Sequence, residues 1–305
     1  MNKFLFSKTL IVGMGLIGSS LARAIKKQNI SKEIYGLDNN FEVIATCKKL
    51  KILNHCKKDI KEFSTQFDLI IICIPLSEYK KLFSLLSDFI TEPTIITDVG
   101  STKVSVIEDF KSQRKNKFIN FVPGHPIAGL EKSGPKYGFA ELFENRYCIL
   151  TPFEKENSAF NLIKKFWESI GMEVESMKAD YHDRILAMTS HIPQLIAYSI
   201  VYTANELEEN LRDEIIKYSA AGFRDFTRLA GSDPIMWRDV YSMNKDSVIE
   251  MLGRFTEDLT TLQKAIRNND TKFLEQTFSS TRKVRHTIEK LGQAGSFNPT
   301  EKDKI

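Results

Sequence analysis

Cysteine is scarce, with four in 305 residues, and Cys47, Cys56, Cys73 and Cys148 form no C-x-x-C pair. That removes the usual sequence signs of a disulfide scaffold or a thiolate metal site, and a reduced, cytoplasmic protein with buried thiols is the economical reading. Long apolar runs are missing too. The longest, residues 69–75, is far too short to cross a bilayer, so no membrane partner is expected. Residues 1–8 carry no apolar stretch ahead of a small-residue cleavage site, which argues against a signal peptide. Excess charge is absent: the net charge is +4, with basic residues scattered among acidic ones, so no nucleic-acid surface is expected. No internal repeat is visible. Against these absences stand 42% apolar and 27% charged residues, the profile of a soluble globular protein long enough for two domains.

The N-terminal half alternates strands and helices. Residues 8–12 (KTLIV) form a short apolar strand, followed by G-M-G-L-I-G at 13–18 and a helical stretch, SSLARAIKKQ. A G-x-G-x-x-G between strand and helix is the dinucleotide-binding turn of a Rossmann-type fold. Gly13 makes the turn, Gly15 lets a pyrophosphate approach, Gly18 lets helix and strand pack, and Leu16 and Ile17 open the helix at the phosphates. The second strand, 33–37, ends in Asp38. That residue is either a ribose acceptor or a helix cap; Asn39 and Asn40 can cap equally well, so the ribose role is favoured, and NAD over NADP. Further strands are expected at 68–75, 94–98, 118–122, 146–151 and 172–177. Pro75, Ser101 and His125 follow three of them, so with Gly13 and Asp38 they should share one edge of one sheet, where such folds bind ligands.

The segment FVPGHPIAGLEKSG, 121–134, is the most chemically loaded. His125, one of five histidines, sits between Gly124 and Pro126, and the proline holds the residue before it extended. Beyond residue 178 the pattern turns helical. His191 precedes Pro193, which should kink the helix over 179–209; a buried core histidine and a ligand-facing one are both open readings. Asp225 and Arg228 are spaced to pair on one helical turn, or the arginine can grip a carboxylate. Asp233-Pro234 starts a long helix from Trp237 onward, whose apolar positions run to Ile266, interrupted by Asn244. A seam that long predicts a partner along its length, a second copy of the chain. The expectation is an α/β dinucleotide-binding domain over 1–178, an all-α dimerisation and substrate domain over 179–292, and a disordered tail over 293–305.

With GMGLIG, DVGSTK, GHPIAGLEKSG, SHIPQ and GFRDFTRLAGSDPIMWRD in place, the chain resembles the prephenate/arogenate dehydrogenase family over nearly its whole length. The resemblance implies an NAD-dependent oxidoreductase acting on a small cyclohexadienyl acid in tyrosine biosynthesis. It implies His125 as the catalytic histidine, Ser101 as the residue orienting it and the nicotinamide, and His191 as a substrate-side histidine. It further implies Arg228 as the clamp on the ring carboxylate, Asp225 and Glu131 as its gating partners, Trp237 as an aromatic reaching the other subunit's cleft, and a homodimer. Leu130 stands where related sequences often carry threonine. A β-hydroxyacid dehydrogenase, which uses a helix lysine as its acid–base group, and a dinucleotide sensor without turnover are the competing readings.

Overall fold

The computed structural model describes residues 4–114, 117–207, 211, 214–215 and 217–290; the expected tail at 293–305 lies outside the described residues. The chain forms two compact units, Met1–Val248 and Ile249–Ile305.

In the first unit, six parallel strands make one sheet in the order β3-β2-β1-β4-β5-β6. They are β1 (Phe6–Val12), β2 (Ser31–Leu37), β3 (His55–Lys57), β4 (Leu69–Ile72), β5 (Thr94–Asp98) and β6 (Ile119–Val122). This is the doubly wound order of dinucleotide-binding folds, with β1 and β4 adjacent at the point where the winding reverses. Neighbouring side chains on a strand point to opposite faces, and the core divides accordingly. Ile11 and Ile71 face a cluster with Leu21 and Ile25 of α1 (Leu16–Lys27) and Phe166 and Trp167 of α5 (Ser158–Ser169). Leu10, Val12, Ile70 and Ile72 face the other way, against Phe83 of α3 (Tyr79–Phe89) and Phe110 of α4 (Val104–Gln113). Burial on both faces is why these strands read as unbroken apolar runs.

His125 follows the end of β6 in the main sheet, as expected, but on a strand of its own. It lies on β7 (Gly124–Pro126), which pairs antiparallel with β8 (Arg146–Leu150), which in turn runs parallel to β9 (Met172–Ser176) in a separate three-stranded sheet. A three-residue strand ending in proline carries too little pattern to be read from sequence. Close approach of the two sheets depends on Gly124: a Cβ there would lie 3.2 Å from the Asp98 carbonyl oxygen and 3.3 Å from Thr97 Oγ1.

The helical part of this unit begins with α6 (Ala179–Leu186), widens into a π turn (Ala187–His191) and resumes as α7 (Ile192–Asn205). The kink expected from Pro193 takes this form, with His191 closing the π turn. By length and composition Ala179–Asn205 could cross a membrane. Its buried His182, Asp183 and His191, however, are bonded to neighbouring elements, which marks it as a packing helix. The chain continues through α8 (Ala221–Thr227) and α9 (Pro234–Met243), the latter capped by Asp233 as expected. The long helix anticipated from Trp237 to Ile266 is broken at Asn244, whose backbone leaves the helical region before α10 (Lys245–Arg267) starts. The second unit holds most of α10 and α11 (Thr271–Lys290), with Ile249, Leu259 and Ile266 more than half exposed.

Candidate active site

The glycine turn after β1 has the geometry its spacing predicts. Gly13 has φ of +92°, and a Cβ on it would lie 2.4 Å from the Cys73 carbonyl oxygen. A Cβ on Gly18 would lie 1.9 Å from the Gly13 carbonyl oxygen, so neither position tolerates a side chain. Gly15 differs: nothing lies within 4 Å of where its Cβ would be. Gly15 is also the N-cap of α1 and supplies no side-chain cap, and no acidic residue occupies the first turn. Open space in front of uncapped helix N–H groups is what a pyrophosphate requires.

Asp38 does not cap α2 (Phe41–Leu50); Asn40 does, accepting from the Glu42 N–H. One Asp38 oxygen accepts from the Met14 N–H at 2.8 Å, tying the second strand's end to the glycine turn, and the other accepts from the Asn40 N–H. Pro75 is exposed beyond β4, and Ser101 lies half-buried beyond β5. Ser101 is not a helix cap. The N-terminus of α4 is closed by the Asp183 carboxylate, which accepts the N–H groups of Lys103 at 2.8 Å and Val104 at 3.0 Å.

Beneath these loops lies a fully buried ion pair, Asp98 with Lys103, at 2.5 Å. Asp98 also accepts from the N–H groups of Gly100 and Gly124 and from the Tyr79 hydroxyl. Lys103 donates to the Gly124 carbonyl oxygen at 2.7 Å. The peptide groups preceding His125 are therefore held from both sides by the two members of the pair.

His125 Nδ1 lies 2.9 Å from His182 Nε2, and His182 Nδ1 lies 2.7 Å from the Asp183 carboxylate. The order of these bonds assigns the tautomers. A carboxylate only accepts, so neutral His182 carries its proton on Nδ1 and accepts at Nε2. His125 must then donate from Nδ1, which leaves the lone pair on its Nε2. Burial is the main cause holding the His125 imidazole well below its ordinary range, with His182, Lys103 and His191 adding to it. The ring stays neutral well to the acid side of 6.5.

His191 is buried in the π turn, and its Nδ1 lies 3.2 Å from Nδ2 of Asn244, which also donates to the Asp183 carbonyl oxygen. Accepting at Nδ1 puts the His191 proton on Nε2. That nitrogen and the Trp237 indole nitrogen are both buried without a hydrogen-bond partner among the described residues, and the two rings lie 6.0 Å apart. Orphaned buried donors are rare, and two together mark a place for a polar ligand. Burial lowers the His191 pKa to about 4. Trp237 stands beside its own chain's His191 and packs, partly buried, against its own chain's core cluster.

Arg228, exposed after α8, is paired with Glu131 of the loop after β7. Among the described residues its ion pair is with Glu131 and not with Asp225. Sequence reasoning missed Asp98, Lys103, His182, Asp183 and Asn244. Asp98 and Lys103 bracket the DVGSTK motif; His182 and Asp183 sit in YHDR, which has no motif quality and would be found only from the fold.

Comparison with known proteins places the chain in a family. Residues 21–176 match the family model described as prephenate dehydrogenase, nucleotide-binding domain, and residues 178–280 match prephenate dehydrogenase, dimerization domain. The chain is 36% identical over 281 residues to the cyclohexadienyl dehydrogenase of Zymomonas mobilis, covering 92% of this chain and 95% of that protein. It is 32% identical to the prephenate dehydrogenase of Bacillus subtilis, covering 94% of this chain and 77% of that one. Among solved structures, prephenate dehydrogenase from A. aeolicus, in complex with hydroxyphenyl propionate and NAD+, superposes with a TM-score of 0.85 at 33% identity, covering 92% of this chain and 98% of that chain. Matched along both halves by the same family's models and by relatives of this identity, the chain belongs to the prephenate dehydrogenase family.

Proposed function

We propose that this protein catalyses the NAD-dependent oxidative decarboxylation of prephenate to 4-hydroxyphenylpyruvate, of arogenate to tyrosine, or of both, in tyrosine biosynthesis. The observation that carries the reading is His125: a buried, neutral imidazole whose free lone pair is fixed on Nε2 by its bond to His182. Family membership supports the substrate class. When bound, NAD supplies the hydride acceptor.

The residues present fit that cofactor. Gly13, Gly15, Leu16, Ile17 and Gly18 offer the turn and helix N–H groups that would hold the pyrophosphate, Asp38 would accept from the ribose, and Pro75 and Ser101 would lie toward the nicotinamide. His125 Nε2 accepts the proton of the substrate's ring hydroxyl, which pushes electron density toward the departing hydride and lets the ring carboxylate leave as carbon dioxide. Arg228 exchanges Glu131 for the ring carboxylate, a trade between two carboxylates on one guanidinium. Asp225, on the preceding helix, is a second gating partner of Arg228 by the family resemblance. The orphaned N–H groups of His191 and Trp237 donate to the substrate's side-chain end.

The working division lies at 178/179: residues before it bind cofactor and hold the base, and residues after it, to about 292, bind substrate and assemble a homodimer. The matched dimerization-domain model supports the second role. Free cysteines, three of them buried, suit a cytoplasmic setting. The deciding experiment is absorbance at 340 nm with purified protein, NAD and either prephenate or arogenate. Reduction of NAD with neither substrate would overturn the proposal.

A further inference from the structure

His125 is a poor place to leave a proton. Its ring is buried, and the charged or titratable groups facing it are Lys103 from the loop before α4, His191 from the π turn and His182 from α6. All three disfavour an imidazolium there. The charge of Lys103 is already matched by Asp98. His182 is placed differently. It is equally buried, but its Nδ1 is bonded to Asp183, and Asp98 also favours its charged form. Burial and Lys103 still pull its pKa down.

We propose that His182 is the second half of the base: as His125 takes the substrate's hydroxyl proton at Nε2, it passes its own Nδ1 proton to Nε2 of His182. This rests on His125 being the base. One proton enters and one moves on. His125 ends neutral with its proton on Nε2, accepting at Nδ1 from His182. His182 ends as an imidazolium bonded to the Asp183 carboxylate. After product leaves, His125 releases its Nε2 proton to water and recovers the other from His182, restoring the starting tautomers. Asp183 is a positioning residue for this relay, and because it also closes the N-terminus of α4, it ties the relay to the loop that carries Ser101.

The direct test is a pH titration of the wild-type protein labelled with 15N-histidine and followed by NMR. Expected is that neutral His125 and His182 both carry the proton on Nδ1, and that on acidification His182 becomes the imidazolium before His125. Neutral His125 protonated on Nε2, or His125 charging first, would overturn the relay. Kinetics supply an independent test through His182→Gln, whose amide oxygen can accept the His125 Nδ1–H and keep the ring aligned. Expected is a fall in kcat of about tenfold or more with unchanged KM and NAD affinity. The solvent-isotope proton inventory should change from curved, with two protons in flight, to linear. Wild-type kcat with a curved inventory in this variant would remove His182 from the path. Near-normal turnover in His125→Asn would instead remove His125 as the base, and the relay with it.

Discussion

Lys103 and Asp98 form an ion pair from which water is wholly excluded, and between them they hold both polar groups of the Gly124 backbone, the residue before the catalytic candidate His125. A buried pair of this kind contributes little net stability against a well-packed apolar substitute, but losing one partner leaves an uncompensated buried charge. Lys103→Met should cost about 3–5 kcal/mol, measured by urea unfolding, and should lower turnover because the backbone before His125 is released. The double variant with Asp98→Asn should recover part of the stability, since the lone charge is then gone. Equal stability of the single and double variants would show that the carboxylate finds another partner.

Three buried histidines set the acid side of stability. His125, His182 and His191 all titrate below their ordinary value, chiefly because burial penalises the charged ring. The unfolded chain takes up their protons near pH 6.5, and the folded chain does so only at lower pH. The unfolded state therefore binds more protons in that window, and stability falls as pH drops below about 6.5. Each histidine contributes a slope of up to about 1.4 kcal/mol per pH unit, extending for His191 toward pH 4. Above about pH 7.5 these groups add no slope. Urea melts from pH 8 to 5 check it. In the same way kcat/KM should stay level through neutrality and fall only on the acid side of 6.5.

Asp38 ties the end of the second strand to the glycine turn through the Met14 N–H. NAD should be much preferred over NADP, whose extra phosphate would meet this carboxylate. Asp38→Ala should raise KM for NAD and narrow the preference, since it removes a ribose acceptor and an anion together. Equal kcat/KM for both cofactors in the wild-type protein would overturn the assignment.

What could be read from the chain follows from how local each signal is. The glycine turn, the main strands and the Asp233 cap each fit within a few residues, and their physics is complete at that scale. The relay was hidden because His182 and His125 lie 57 positions apart and meet only once the second sheet has formed. The Asp98–Lys103 pair was hidden for another reason. Charged residues are usually solvated, and only the fold reveals that this lysine is buried. The nearness of Trp237 to His191 was hidden in the same way, because the two lie on different helices.

Arg228 is paired with Glu131, so removing either should affect substrate binding differently. Arg228→Ala should raise KM for substrate with NAD binding intact, because a two-pronged charged contact is lost from one ligand only. Glu131→Gln should free the guanidinium and leave KM equal or lower. A KM unchanged in Arg228→Ala would reduce the Glu131 contact to a surface ion pair of little consequence.

The second unit presents an apolar row on a helix with few residues of its own to cover it. Leu259 is 53% exposed and Ile266 67%, while Phe255 and Leu262 on the same helix are half-buried. Each fully covered side chain of this size is worth about 1.5–3 kcal/mol, so several together would suffice to hold two copies of the chain. Charges introduced at Phe255 and Leu259 should therefore dissociate the homodimer, read by sedimentation or light scattering at micromolar concentration. The cofactor residues all belong to one chain's glycine turn and sheet edge. The dissociated variant should thus keep wild-type affinity for NAD, measured by calorimetry, even where turnover falls. A wild-type protein that is monomeric and fully active at that concentration would show that the row is covered within a single chain.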